Sequence, residues 1–326
     1  MELMMPFVEA FKPPRYLQNA MLQTVLASLP LRARGRHPMA DVTRDIVLTT
    51  ALGVRLLGVH SPQPKGRSRG IVILIHGWEG SSDSRYVVSA ARRLYRSGFD
   101  VFRLNLRDHG KSHHLNRGLF WASDLEEVFD AVSQAARLAG SGPAFLAGFS
   151  LGGNFALRIA ANCAGAPITN LKHVVAVSPA INPSMATDRV DAHGMILAYF
   201  LKKWRRSLAA KAAQYPGEYD FSKMLALKNI RQMTAVAVAD YGRHPSIDAY
   251  FREYTITGEL FSSIRVPTTV ITAMDDPVIP VADFYALPQN PAVDLTLSRH
   301  GGHNGFIEDV CLNGWHERLM LSRFST

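Results

Sequence analysis

Three side chains of this sequence have the types needed to break an acyl bond together. They are Ser150 in Gly148-Phe149-Ser150-Leu151-Gly152, Asp276 in Asp275-Asp276-Pro277, and His303 in Gly301-Gly302-His303-Asn304-Gly305. A serine hydroxyl is a weak nucleophile at neutral pH, so it needs an imidazole to take its proton and a carboxylate to orient that imidazole. The glycines around Ser150 permit a sharp, strained turn that projects the hydroxyl toward a substrate. A Gly-x-Ser-x-Gly string alone is weak evidence. Its setting gives it weight: an apolar run at 143–147 stands directly before it and a helix-like stretch at 155–164 directly after.

Such chemistry also needs donors for the negative charge that develops on the substrate oxygen. The unbroken apolar run 71–75 reads as a strand covered on both faces, and it empties into His76-Gly77-Trp78-Glu79-Gly80. This loop and the Gly-x-Ser-x-Gly turn resemble those of α/β-hydrolases, where the loop after the strand and the residue after the nucleophile supply the two backbone donors. The resemblance implies the N–H groups of Trp78 and Leu151 as the oxyanion donors. The carboxylate follows a β-branched strand at 268–273, and the histidine follows an alternating strand at 293–297. The resemblance to α/β-hydrolases, whose acid stands four positions before a proline, here Pro280, favours Asp276 over Asp275; Asp275 stays open as the alternative acid. His303 is preferred to His300 because it sits among glycines beyond the strand and matches that resemblance. Glu79, Asp83 and Asp294 read as solvated surface carboxylates.

The elements that must position these groups alternate along the chain. A hairpin spans 46–59, helices span about 84–96 and 124–139, the second capped by Ser123, and further strands occupy 101–106, 143–148 and 173–178. Alternation of this kind implies a mostly parallel sheet with helices on both faces. Between 181 and 262 no clean strand occurs; helical stretches at 192–213 and 247–254 and many aromatic and methionine residues mark a helical insertion.

The order Ser, Asp, His, with the His-Gly loop upstream, resembles the α/β-hydrolase superfamily. The segment Leu17-Gln18-Asn19-Ala20-Met21-Leu22-Gln23-Thr24, the Gly-Phe-Ser-Leu-Gly-Gly elbow, the Asp-Asp-Pro loop and Gly-Gly-His-x-Gly-Phe are similar to its YheT-like and ABHD-type branch. Met21 stands where that branch usually has His, and Asn105-Leu106-Arg107-Asp108-His109-Gly110-Lys111-Ser112 replaces its "DLRGHGxS". The resemblance implies an α/β-hydrolase fold with residues 1–45 as a helical extension, 46–180 and 263–326 as the two parts of the core, and 181–262 as a cap. It further implies a serine hydrolase of carboxylic esters, short to medium in acyl length or lipid-like, with thioester cleavage, acyl transfer and non-catalytic lipid binding as alternatives. No metal or organic cofactor is required.

Composition narrows the remaining choices. With 326 residues, 47% hydrophobic and 19% charged, the chain can bury one large domain with an insertion. Its first residues, 1–6, lack a basic run and an apolar core, so a cytoplasmic location is expected. Two cysteines, Cys163 and Cys311, have no zinc-site spacing, and the cluster Asp108, His109, His113, His114 matches no metal motif. A net charge of +9 comes without a nucleic-acid recognition motif, so no nucleic-acid partner is expected. Five basic residues, Lys202, Lys203, Arg205, Arg206 and Lys211, occur within one helical stretch without an acid. That stretch reads as a solvated helix face, with peripheral contact to an anionic membrane surface as its functional alternative.

Overall fold

The computed structural model describes residues 11–35 and 37–325. The sequence features expected within 1–10 therefore lie outside the described residues. Helix α1 (Ala20–Ala27) starts at Asn19, whose side chain accepts the Leu22 N–H, and a short α2 (Pro38–Val42) follows. Strands β1 (Arg44–Thr49) and β2 (Arg55–Ser61) form the expected antiparallel hairpin. Then β3 (Ile71–Ile75), α3 (Arg85–Arg96), β4 (Asp100–Leu104), α4 (Leu125–Arg137), β5 (Ala144–Phe149), α5 (Leu151–Asn162) and β6 (Leu171–Val177) alternate.

Every residue of β3 and β5 is buried, because both faces of the sheet carry helices. With β7 (Thr268–Ala273) and β8 (Val293–Ser298) as the last two, the eight strands run β1-β2-β4-β3-β5-β6-β7-β8; β1 and β2 are antiparallel to their neighbours and the rest are parallel. Helix α4 departs from expectation at its start. Asp124 is its N-cap residue, while the Ser123 hydroxyl lies 3.2 Å from His244 Nε2.

Six helices fill the stretch between β6 and β7: α6 (Pro183–Ala192), α7 (Gly194–Gln214), α8 (Ser222–Ala226), α9 (Ile230–Tyr241), α10 (Ile247–Glu253) and α11 (Gly258–Ser263). Asn182, Asn229, Ser246 and Thr257 each cap one of them with a side-chain oxygen. The chain then returns through β7 (Thr268–Ala273), α12 (Ala282–Tyr285), β8 (Val293–Ser298) and α13 (Trp315–Phe324). Consecutive parallel strands deliver their C-terminal ends to one edge. Ser150, Asp276 and His303 follow β5, β7 and β8 there, and Trp78 follows β3.

Candidate active site

Ser150 occupies the first turn between β5 and α5 with φ 54° and ψ −115°, a conformation costing about 1–3 kcal/mol for a residue with a side chain. Backbone bonds hold it there. Its N–H donates to Val177 O at 2.9 Å, and its carbonyl accepts from Asn154 and Ala180 at 3.0 and 3.2 Å. The flanking glycines are required by space: a Cβ on Gly148 would lie 2.0 Å from Gly152 O, and one on Gly152 would lie 2.3 Å from Ile75 O.

His303 and Asp276 are brought together. His303 Nδ1 lies 2.9 Å from Oδ2 and 3.1 Å from Oδ1 of Asp276, so the ring donates from Nδ1 and keeps its Nε2 lone pair for another proton. Oδ1 of Asp276 also accepts the Val278 and Ile279 N–H groups at 2.8 and 2.9 Å. Asp275 points elsewhere: its Oδ1 accepts the Gly302 N–H at 2.9 Å and its Oδ2 lies 3.5 Å from Nδ1 of the partly exposed His300. Of the two acids, Asp276 is the one that faces the His303 ring.

The loop after β3 is fixed from several sides. The Gly77 carbonyl accepts from His76 Nδ1 at 2.7 Å and from the Gly80 N–H at 2.9 Å. Because a peptide unit is planar and trans, this tie directs the Trp78 N–H to the opposite side of the unit. The Gly77 N–H donates to the Tyr86 hydroxyl at 3.0 Å, and His76 Nε2 accepts the Leu106 N–H at 3.1 Å. Burial drives His76 down to about 4 and Tyr86 up to about 12, so both stay neutral. His76 and Tyr86 shape this loop, yet nothing local in the sequence marks either as its support.

Two cavities meet at Ser150. One, of about 160 Å³, lies under the inserted helices and is walled by Phe120, Trp121, Phe200, Trp204, Ile230 and Phe251. The other, of about 570 Å³, is bordered by Ser150, His303, Met21, Tyr86, Ile196 and Tyr199. Trp78 stacks on Phe200 with ring centroids 5.2 Å apart and meets Trp204 edge-on at 5.1 Å.

Several charged residues sit differently from the sequence reading. Glu79 is partly buried beside the narrower cavity, and burial pushes its carboxyl up to about 8 against the opposing pull of Lys203. Asp83 and Asp294 are on the surface as expected. Within α7, Lys211 is buried and donates to Asp108 Oδ1 at 2.8 Å and to two backbone carbonyls. Burial pushes Asp108 up and Lys211 down while their mutual attraction opposes both shifts. Lys203 donates to Glu79 O and Arg205 to Leu227 O, which leaves Lys202 and Arg206 as the exposed cations of that stretch. The basic face is therefore smaller than the sequence suggests, since three of its five members turn inward.

The histidine-rich loop after β4 is also dispersed: His109 Nδ1 donates to Arg107 O, and His113 Nε2 pairs with Ser207 Oγ at 2.8 Å. Among the described residues, no three histidine, cysteine or acidic side chains gather in a way that could hold a metal ion. No described helix is long and apolar enough to cross a membrane.

Comparison with known proteins agrees with this architecture. A family model described as the alpha/beta hydrolase fold matches residues 70–310. A Synechocystis protein named as a candidate esterase, slr0264, is 27% identical over 91% of this chain and 87% of its own length. The Escherichia coli protein YheT, also named as a candidate esterase, is 25% identical over 93% of this chain and 88% of its own. Bovine phospholipase ABHD3 is 24% identical over 74% of this chain and 60% of its own. With an eight-stranded, mostly parallel sheet and a family match across most of its length, the chain belongs to the α/β-hydrolase fold family.

Proposed function

We propose that this protein is a serine hydrolase that cleaves carboxylic esters through an acyl-enzyme, with residues 181–262 serving as a cap over the acyl site. The observation that carries the reading is the pairing of His303 Nδ1 with a buried Asp276 beside a cavity that also reaches Ser150, itself held at φ 54° on a strand-to-helix turn. Ser150 Oγ attacks the ester carbonyl while His303 Nε2 takes its proton. Asp276 steadies the imidazolium, and the N–H groups of Trp78 and Leu151 donate hydrogen bonds to the oxyanion. Collapse expels the alcohol, which leaves with the proton from His303. Water then repeats the sequence on the acyl group and frees Ser150.

The narrow, largely apolar cavity suits a short to medium acyl chain, and the wider one suits the alcohol portion, including a lipid-like one. The esterase and phospholipase names of the relatives favour the same bond type. The test is Ser150→Ala, measured by fluorophosphonate labelling and by hydrolysis of p-nitrophenyl esters. Both signals should disappear while the far-ultraviolet circular dichroism stays unchanged; a variant that keeps most of its turnover refutes the assignment.

A further inference from the structure

We propose that Thr24 and Gln23, on the N-terminal helix α1, are positioning residues for His303, so that the catalytic centre is completed by a segment lying outside the family-matched residues 70–310. This inference rests on the serine-hydrolase reading above.

The loop that carries His303 does not hold its own shape. Gly302, Asn304 and Phe306 lie at φ 54°, 59° and 48°, and the two that are not glycine each carry a backbone cost of about 1 kcal/mol or more. Such a conformation persists only when surrounding groups determine it. Here, three successive N–H groups are each taken by a different part of the fold. Gly302 donates to Asp275 Oδ1 at 2.9 Å, His303 to Thr24 Oγ1 at 2.9 Å, and Asn304 to Ser178 Oγ at 3.2 Å. The bond on the proposed general base itself is the one supplied by α1.

The Thr24 hydroxyl is set for this task. It donates its own proton to Ala20 O at 2.8 Å, which turns a lone pair toward the His303 amide. One residue earlier, Gln23 is fully buried and grips the loop on its far side. Its Oε1 accepts the Ile307 N–H at 2.7 Å, and its Nε2 donates to Ile307 O at 3.0 Å and Leu17 O at 2.7 Å. Helix and loop touch without a gap: a Cβ on Gly302 would lie 2.3 Å from Ala20 O, and one on Gly305 would lie 2.6 Å from Gln23 O.

The helix is in turn tied to the core. The buried Arg32 donates to Ala27 O at 3.1 Å and pairs with Glu317 on α13 at 2.6 Å. A displacement of α1 would therefore move the backbone from which the imidazole hangs. Because proton transfer depends on sub-ångström placement, the cost appears in turnover rather than in substrate binding.

The experiment compares Thr24→Val, Thr24→Ser and Gln23→Met in the full chain, with kcat expressed per serine titrated by a fluorophosphonate. Normalising to titrated sites removes any loss caused by misfolding. Thr24→Val should lower kcat per site about ten- to a hundredfold with KM within about twofold of wild type, and Gln23→Met should act in the same direction. Thr24→Ser, which keeps the acceptor, should retain at least about half the wild-type kcat. Wild-type kcat per site in Thr24→Val, or an equal loss in Thr24→Ser, overturns the positioning role. Ser150→Ala separates the two levels of argument. Turnover that survives in it overturns the serine-hydrolase reading and this inference together, whereas a silent Thr24→Val beside an inactive Ser150→Ala overturns the positioning role alone.

Discussion

Replacing Asp276 by asparagine changes almost nothing in shape but reverses one hydrogen-bond role. Oδ1 of Asp276 accepts the Val278 and Ile279 amides, while Oδ2 faces His303 Nδ1 at 2.9 Å. An asparagine that keeps its oxygen on the two amides must turn its NH₂ toward His303. Nδ1 then becomes the acceptor, Nε2 carries the proton, and the ring cannot take one from Ser150. The flipped amide restores the competent tautomer but sets its NH₂ against two N–H donors. Two buried amides left unpaired cost about 1–3 kcal/mol each, or about 2–6 kcal/mol together. At about 1.4 kcal/mol per factor of ten, the competent form falls about 30-fold to 10⁴-fold. The upper end coincides with the loss of about 10⁴ measured for the equivalent change in a chymotrypsin-like triad. The assay is kcat on p-nitrophenyl butyrate per titrated serine. Asp275→Asn is the internal control: an asparagine oxygen can still accept the Gly302 N–H, so the loss there should stay below about tenfold. If Asp276→Asn keeps turnover within tenfold of wild type, or Asp275→Asn loses more, the acid has been assigned wrongly.

Two further predictions concern the acyl chamber and the buried titrating groups. Ala237 is buried at the wall of the narrower cavity, so Ala237→Phe should shift the preferred ester toward shorter acyl chains across an acetyl, butyryl, octanoyl and palmitoyl panel; an unchanged profile places the acyl chain elsewhere. Burial holds His173 down to about 4 and Glu79 up to about 8, which gives opposite signs. The His173 contribution is present above about pH 6.5 and is lost as pH falls toward 4, so the Tm of wild type minus that of His173→Gln should decrease on acidification. The Glu79 contribution is present below its ordinary value of 4.5 and is lost as pH rises through 8, so wild type minus Glu79→Gln should decrease on going alkaline. Differences that stay flat with pH in either pair contradict the burial argument.

What the sequence revealed and what it hid follow one physical division. The sheet was legible because a strand covered on both faces favours apolar and β-branched residues, as in the unbroken apolar run 71–75 and the β-branched run 268–273. The helical insertion was legible from the absence of such runs, although only two helical stretches, 192–213 and 247–254, stand out in the sequence where six helices occur. Partners distant in sequence were not. Lys211 has the local look of a solvated cation, and only the fold brings it to Asp108, 103 residues away. Glu79 looks like an ordinary loop carboxylate until the inserted helices cover it.

The same division separates the two strained positions at the site. At Ser150 the strain announces itself, because the neighbouring backbones approach so closely that Gly148 and Gly152 cannot carry a Cβ. At the histidine loop, two of the left-handed residues are Asn304 and Phe306, which bear side chains and leave no such mark. Their conformation is stabilised by acceptors on three separate elements, including Thr24, which lies 279 residues before His303. Glycine spacing reveals where a backbone is crowded, by β3 at the elbow and by α1 at the histidine loop, but not which side chains hold the turn. The groups that hold a turn from outside are identified only when the fold is seen, and this is why segment 17–24 could be marked from the sequence while its contact with the histidine loop, 279 residues on, could not.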